Sequence, residues 1–159
     1  MIKDALDEGI TNFARAVLAN KTGELKMYGF EHKEYVAVMD NTATYYESNM
    51  DLLNSEVRKQ LFDSKRPILT KVHDGMPTRY GIKSKVNNSL VADNCIIEGT
   101  VKNSIIFRNV KIGKGAVVEN SIVMQSGVIE KNAEVKYAIL DKNVCVGESK
   151  VLKGTVDSE

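Results

Sequence analysis

Val86-Asn87-Asn88-Ser89-Leu90-Val91 decides the fold, because this stretch returns three more times in the second half of the chain. The copies open at Val101, Val118 and Val135, so that the repeat measures 15 to 17 residues. Such a repeat, built on an aliphatic residue followed by a small one, is typical of hexapeptide-type β-helices, whose coils stack to bury a shared core. The sequence therefore predicts a mainly β protein with a left-handed parallel β-helix over residues 82–159, its strands running from about residue 82 to about residue 156.

Two rows of aliphatic residues are expected to point into this β-helix. The opening valines form the first row, and the second lies eleven positions later in each copy: Ile97, Ile112, Ile129 and Val146. A third row consists of asparagines at the corner of the first three copies: Asn88, Asn103 and Asn120. Asparagine tolerates the left-handed backbone that a tight corner requires, so these side chains are predicted to stack.

Composition limits the class of protein. The 159 residues include 22 basic and 21 acidic residues and carry a net charge of +1, which gives no field to attract a polyanion. No apolar run approaches the roughly 18 residues that a membrane span needs, and the acidic start of the chain is unlike a signal peptide. We expect a cytoplasmic protein with neither nucleic acid nor a membrane as its partner.

The two cysteines are not expected to pair. Cys95 and Cys145 lie three coils apart, or about 14 Å at the usual strand spacing, which exceeds the roughly 7 Å limit for the Cα atoms of a disulfide. Cys95 falls in an inward row, so it is predicted to be a small buried apolar residue.

The first half of the chain is predicted to contain short helices and strands. Apolar residues at helical spacing indicate a helix over residues 3–19, and two strand-like pieces follow at 25–30 and 34–39. Thr44 and Glu47 fit a capping box that would open a second helix, with a further short helix at 55–62.

These elements bury too little surface for an independent domain. We therefore interpret residues 1–54 as the C-terminal remnant of a larger α/β domain and residues 55–81, which hold both prolines, as a linker.

Residues suited to catalysis are missing from the coils. Many β-helix acyltransferases use a histidine as general base, and a β-helix carbonic anhydrase needs three histidines on zinc. This chain has only His32 and His73, both before the first coil. A hexapeptide acyltransferase is thus disfavoured, and we predict neither a catalytic nor a metal-binding residue.

Three cations in the linker form the one positive hypothesis for a site. Arg66, Lys71 and Arg79 lie between the remnant and the β-helix. They could hold a phosphorylated effector, such as a sugar phosphate, by charge-assisted hydrogen bonds. The alternative is that they are ordinary solvated charges.

The chain resembles bacterial glucose-1-phosphate adenylyltransferase (ADP-glucose pyrophosphorylase) in four stretches. They are Tyr45-Tyr46-Glu47-Ser48-Asn49-Met50-Asp51-Leu52-Leu53, Pro77-Thr78-Arg79-Tyr80-Gly81, residues 86–99 and residues 112–118. The resemblance implies an upstream nucleotidyltransferase domain, and an enzyme that makes ADP-glucose from ATP and glucose 1-phosphate with Mg²⁺ in glycogen synthesis. It implies no cofactor in this chain, since the nucleotide and sugar-phosphate residues of the family lie upstream.

One departure from the family changes what the resemblance implies. Active members read Tyr-Trp-x-Asp-(Val/Ile)-Gly-Thr before the second helix, and here Val38 replaces the aspartate and Asp40 the glycine. Valine can neither ligate Mg²⁺ nor accept a hydrogen bond. In this respect the chain is similar to the D-type (GlgD-like) glycogen-biosynthesis subunits, non-catalytic relatives that assemble with the catalytic subunit and activate it.

Two hypotheses for function therefore stay open. The first is a regulatory and assembly part of such a subunit, forming hetero- or homo-oligomers. The second is the C-terminal part of a catalytically active glucose-1-phosphate adenylyltransferase in which upstream ligands compensate for Val38.

Overall fold

The computed structural model describes residues 2–7, 9–10, 12, 18, 23–24, 26–71 and 74–155. Contacts divide the chain into two compact units, Met1–Glu34 and Tyr35–Glu159. The second unit contains the repeats, and the site described below lies within it.

The first unit has one short helix among its described residues, α1 (Ile2–Asp7). The amide of Gly9 donates to the Leu6 carbonyl over 3.0 Å, and Gly9 has φ +75°, so a left-handed residue follows the helix. The prediction of one continuous helix over residues 3–19 was therefore wrong at Gly9, and most of its remainder lies outside the described residues.

Neither predicted strand in the first half is a strand. Residues 26–30 and 34–39 pair with no sheet, and Tyr28, Phe30 and Val38 are exposed. Strand-like composition was not sufficient here, because a strand also needs a neighbouring strand to pair with.

Two helices open the second unit. They are α2 (Thr42–Asp51) and α3 (Ser55–Leu61), and α3 confirms the short helix predicted there. The capping box of α2 was predicted one turn too late: Asn41 is the N-cap, its side chain accepts from the Thr44 amide over 2.8 Å, and the Thr44 hydroxyl accepts from the Asn41 amide over 3.2 Å. The helix starts earlier because this pair satisfies its first amides.

Fourteen short strands follow in the described part of the chain. They are β1 Arg79–Tyr80, β2 Lys85–Asn87, β3 Leu90–Val91, β4 Ile96–Ile97, β5 Thr100–Lys102, β6 Ile105–Ile106, β7 Lys111–Ile112, β8 Val117–Glu119, β9 Ile122–Val123, β10 Val128–Ile129, β11 Glu134–Lys136, β12 Ile139–Leu140, β13 Cys145–Val146 and β14 Val151–Lys153.

The strands form three parallel sheets, ordered β1-β4-β7-β10-β13, β2-β5-β8-β11-β14 and β3-β6-β9-β12. Every third strand joins the same sheet, which is the topology of a parallel β-helix and confirms the predicted fold. The β-helix starts earlier than predicted, since Arg79 opens β1 and its amide donates to the Cys95 carbonyl over 2.9 Å. Arg79 is thus part of the first coil and not of a linker.

The two predicted inward rows are confirmed by strand register. Val86 pairs with Val101, Val101 with Val118 and Val118 with Val135. The second row pairs in the same way, Ile97 with Ile112, Ile112 with Ile129 and Ile129 with Val146. All of these side chains are buried except that of Val86, which lies in the first coil. They form the core between the three sheets.

The asparagine corner is also confirmed. Asn88, Asn103 and Asn120 have φ values of +40°, +46° and +48°, in the left-handed region that asparagine tolerates. The Asn88 side-chain Nδ2 donates to the Asn103 side-chain oxygen over 2.9 Å, so the first two corners are bonded to each other. In place of asparagine the fourth copy has Tyr137, with φ +52°.

The shorter first repeat is explained by one corner. Two residues, Glu98 and Gly99, join β4 to β5, whereas four residues join β7 to β8 in the next coil. A Cβ atom on Gly99 would collide with the Ala116 carbonyl oxygen and approach the Gly113 carbonyl oxygen to 2.8 Å. Glycine is therefore needed where the tightened corner passes beneath the following one.

The cysteines behave as predicted. Cys95 is buried in the core, Cys145 is exposed, and neither is in a disulfide. The Cys95 thiol donates to the Phe107 carbonyl over 3.0 Å, and burial raises the pKa of this thiol.

Candidate functional site

A further row of aliphatic residues lies on the outside of the β-helix. It belongs to the sheet β3-β6-β9-β12, and its members are Leu90, Ile105, Ile122 and Ile139. We call it the outer apolar row. Side chains alternate across a strand, and the neighbours of these residues, such as Ile106 and Val123, point into the core. Ile122 is nevertheless 0% exposed, so a further layer must cover it.

Helix α2 supplies contacts to that side of the β-helix. The Tyr46 hydroxyl donates to the backbone carbonyl of Asn120 over 2.7 Å, two residues before Ile122. Burial raises the pKa of Tyr46, and the nearby Tyr137 adds to the rise. The helix is thus bonded to the asparagine corner beside the outer apolar row.

This bond gives a prediction for Tyr46→Phe. The pKa of Tyr46 is higher in the folded than in the unfolded protein. The stabilisation that the neutral tyrosine provides is therefore complete below the pKa of the unfolded state, about 10, and is lost as the pH rises through the pKa of the folded state. We expect the variant to lose about 1 kcal/mol near neutral pH, and to lose less further stability than the parent at alkaline pH. Denaturant unfolding across that range measures both.

The matched control is Tyr28→Phe, since Tyr28 is exposed and lies in the first unit. It should leave the stability unchanged. Equal behaviour of the two variants would show that the bond to Asn120 contributes nothing.

A second tyrosine attaches the segment before α2 to the two helices. The Tyr35 hydroxyl donates to the Asp51 carboxylate over 2.9 Å, and the Tyr35 amide donates to the Gln60 side-chain oxygen over 2.7 Å. Burial and the bond to Asp51 both raise the pKa of Tyr35. Tyr35, at the start of the segment that carries Val38, therefore bonds to α2 through Asp51 and to α3 through Gln60.

An open groove of about 570 Å³ lies between the start of α2 and the β-helix. Its lining comes from both sides: Met39, Asp40, Asn41, Thr42 and Tyr45, and Met124, Ile139 and Asp141. Asp40 accepts a hydrogen bond from the Thr44 hydroxyl over 3.0 Å, so this carboxylate supports the helix cap. Within the described residues no group of three or more histidine, cysteine, aspartate or glutamate side chains could hold a metal ion.

Val38 directly precedes Met39, the first residue that lines the groove, and is exposed. Its side chain has no ligand atom, so this residue cannot hold the Mg²⁺ that the family resemblance implies for the parent enzyme. No catalytic step can be derived from this stretch.

The three predicted effector residues belong to three different segments of the second unit. Arg66 is in the turn after α3, where its amide donates to the Asp63 carbonyl over 3.0 Å. Lys71 is in an irregular segment, and Arg79 opens β1. All three residues are exposed. His32 is exposed as well, and His73 lies outside the described residues.

Neither Tyr46 nor the outer apolar row was predicted from the sequence. A signal for the row was present, because each strand of this sheet is a pair of consecutive aliphatic residues, such as Ile105-Ile106 and Ile122-Val123. Strands buried on both faces have this pattern. No local signal pointed to Tyr46, whose partner is 74 residues away.

The fold and the repeat define a class of protein. The family described as GlmU-like, C-terminal hexapeptide, matches residues 74–156, which is more than half of the chain. The chain belongs to this family of hexapeptide β-helices.

Particular relatives are more specific. The chain is 36% identical to the glycogen biosynthesis protein GlgD of Bacillus subtilis over 161 aligned residues, covering 99% of this chain and 47% of the relative. It is 56% identical to GlgD of Geobacillus stearothermophilus over 71 residues, which are 45% of this chain and 21% of that protein.

A glucose-1-phosphate adenylyltransferase of Acetivibrio thermocellus is 31% identical over 148 residues, covering 92% of this chain and 34% of the enzyme. These matches confirm the resemblance found in the sequence. The chain spans less than half the length of each of these relatives. Among the described residues, no helix has both the length and the apolar character to cross a membrane.

Proposed function

We propose that this chain is the regulatory and assembly part of an ADP-glucose pyrophosphorylase subunit in glycogen biosynthesis, acting in the cytoplasm without catalysing the reaction itself. The observation that carries the proposal is similarity to GlgD over 99% of the chain, together with valine at position 38. In this role the β-helix provides contacts to a catalytic subunit or to a further copy, and α2 couples the segment with Val38 to the β-helix.

The coupling part of the proposal is supported by the bonds at both ends of α2. Tyr35 bonds to Asp51 at the C-terminal end of α2, and Asn41 caps the N-terminal end of this helix. Tyr46, in the middle of the helix, bonds to the coil corner at Asn120. A displacement of the segment that precedes α2 would therefore reach the third coil through covalent and hydrogen-bonded neighbours. That arrangement suits a subunit that transmits a regulatory state.

The test is a mixing experiment with the full-length protein that contains this chain and the catalytic adenylyltransferase subunit of the same genome. Complex mass and ADP-glucose production are recorded together. We expect a stable mixed complex with activity above that of the catalytic subunit, and no synthesis by this protein alone. Synthesis by this protein alone, abolished by a substitution in its own active site, would contradict the non-catalytic role.

The second candidate is a working glucose-1-phosphate adenylyltransferase. It is favoured by 31% identity to the Acetivibrio enzyme over 92% of the chain. The same experiment separates the two candidates, because only this one predicts synthesis without a partner subunit.

We also propose that Arg79 contributes to the binding of a phosphorylated sugar effector, with Arg66 and Lys71 as the other candidate contacts. Arg79→Ala should weaken the activation of the mixed complex by a sugar phosphate at least about tenfold, while thermal unfolding stays unchanged. Lys111→Ala is the matched control, because Lys111 is an exposed cation on the same sheet, two coils further along. If both variants lose the same degree of activation, the effect of Arg79 is one of general surface charge and not of a specific contact with the effector.

A further inference from the structure

The groove between the start of α2 and the β-helix has the size of a small-molecule site. Its volume of about 570 Å³ lies within the range of about 300–1,000 Å³ that such sites occupy. Three of its lining residues are half-buried and apolar or aromatic: Tyr45 in α2, Met124 after β9 and Ile139 in β12. The proposed function assigns no ligand to this groove.

Two aspartates on the exposed part of the lining are held in place by bonds to the protein. Asp40 Oδ1 accepts from the Thr44 hydroxyl over 3.0 Å. Asp141 Oδ1 accepts from the Lys142 amide over 2.7 Å. The Oδ2 atom of each aspartate has no partner among the described residues, so each carboxylate keeps one oxygen that can accept a hydrogen bond from a ligand.

Hydrogen-bond donors lie beside these acceptors in the same lining. The side-chain oxygen of Asn41 caps α2 by accepting from the Thr44 amide, which leaves the Nδ2 group of Asn41 as a donor. The exposed Thr42 adds a hydroxyl. Such a mixture of donors and acceptors next to an apolar surface suits a ligand with hydroxyl groups, because each hydroxyl both donates and accepts.

The charge of the lining narrows the class of ligand further. Among the described residues that line the groove, none is basic. A phosphate would therefore meet two carboxylates and no cation. An ammonium group would be attracted by the carboxylates, but it can only donate and would leave the Asn41 donor unused. A neutral molecule with several hydroxyl groups matches the whole lining.

We propose that this groove binds a neutral oligosaccharide. Its hydroxyls donate to Asp40 and Asp141 and accept from Asn41, while the C–H faces of the sugar rings pack on the apolar part of the lining. Within glycogen biosynthesis the matching sugar is a short chain of glucose units, and this choice of sugar rests on the proposed function. A chain that binds no sugar but still activates the catalytic subunit would overturn this inference alone.

The experiment is an NMR titration of the 159-residue chain, isotope-labelled at the methyl groups of methionine and isoleucine. Maltotriose is added up to about 20 mM, and the resonances of Met124 and Ile139 should shift together and saturate with a dissociation constant of about 1 mM or below. The resonances of Met27 and Ile96, which lie outside the lining, should stay unchanged.

Asp141→Asn tests the contact, because it replaces the free Oδ2 acceptor by a donor. It should raise the dissociation constant for maltotriose at least about fivefold. Asp63→Asn is the matched control, since Asp63 Oδ1 accepts from the Lys65 amide over 2.9 Å in the same way and lies outside the groove. This control should leave the dissociation constant unchanged, and an unshifted Ile96 resonance in both variants shows that the fold is kept.

Three results would overturn the proposal. One is that the Met124 and Ile139 resonances stay unchanged at the highest maltotriose concentration. Another is equal weakening by Asp63→Asn and Asp141→Asn. The third is tighter binding of glucose 1-phosphate or spermidine than of maltotriose at the same methyl groups, because the groove would then select a phosphate or an amine.

Discussion

Replacement of Val118 by aspartate should destabilise this protein more than any other single change considered. Val118 is 0% exposed and lies in the middle of its row, between Val101 and Val135. The neighbouring side chains on the inside of the β-helix are aliphatic and offer no partner for a carboxylate. An uncompensated buried charge costs about 3–5 kcal/mol. Denaturant unfolding should show this loss, or the variant should fail to fold.

Val151→Asp introduces the same charge in place of the same residue type at an exposed position of β14. Its effect should stay within about 0.5–1 kcal/mol, as for other surface substitutions. Comparable losses in the two variants would show that the row at Val118 does not face the core.

The β-helix could be predicted from sequence because its repeat encodes both the core and the corners. Each coil needs an aliphatic residue at the same inward position and a residue that tolerates positive φ at the same corner, as Val101 and Asn103 show. A regular repeat thus reports a tertiary arrangement through a local pattern. The shortened first repeat was visible too, although only the structure shows that Gly99 is the residue that permits it.

The first half could not be predicted as well because its structure depends on partners that local patterns do not reveal. Residues 34–39 have strand-like composition but pair with no sheet in the described chain. The N-cap of α2 was predicted at Thr44, whereas the structure has it at Asn41. Asn41 and Thr44 fit the same capping-box spacing, and Asp40 adds a bond to the Thr44 hydroxyl.

The candidate site was predicted least well, because its contacts join residues that are far apart along the chain or lie in strands too short to leave a pattern. Arg79 was assigned to a linker because its two-residue strand is too short to leave a periodic pattern. The contact of Tyr46 with Asn120 joins residues from the two halves of the sequence. The outer apolar row had a signal, because each strand of its sheet is a pair of consecutive aliphatic residues, but the sequence prediction did not use it.

The outer apolar row carries the second large prediction. Ile122→Ala should cost about 2–5 kcal/mol, as other deletions of buried isoleucine side chains do, although Ile122 faces away from the β-helix core. It should also speed amide hydrogen exchange in α2 while leaving β4, β7 and β10 unchanged, because the side chain lost lies on the side of the β-helix that bonds to Tyr46.

Ile96→Ala is the matched control, since Ile96 opens β4 as Ile122 opens β9 and is partly exposed on another sheet. It should cost less than half as much and leave exchange in α2 unchanged. If both variants lose the same stability and α2 exchanges as before, the helix does not depend on the outer apolar row for its position. If only Ile122→Ala releases α2, then the path from the segment with Val38 to the third coil runs through an apolar contact that a regulatory signal can make or break.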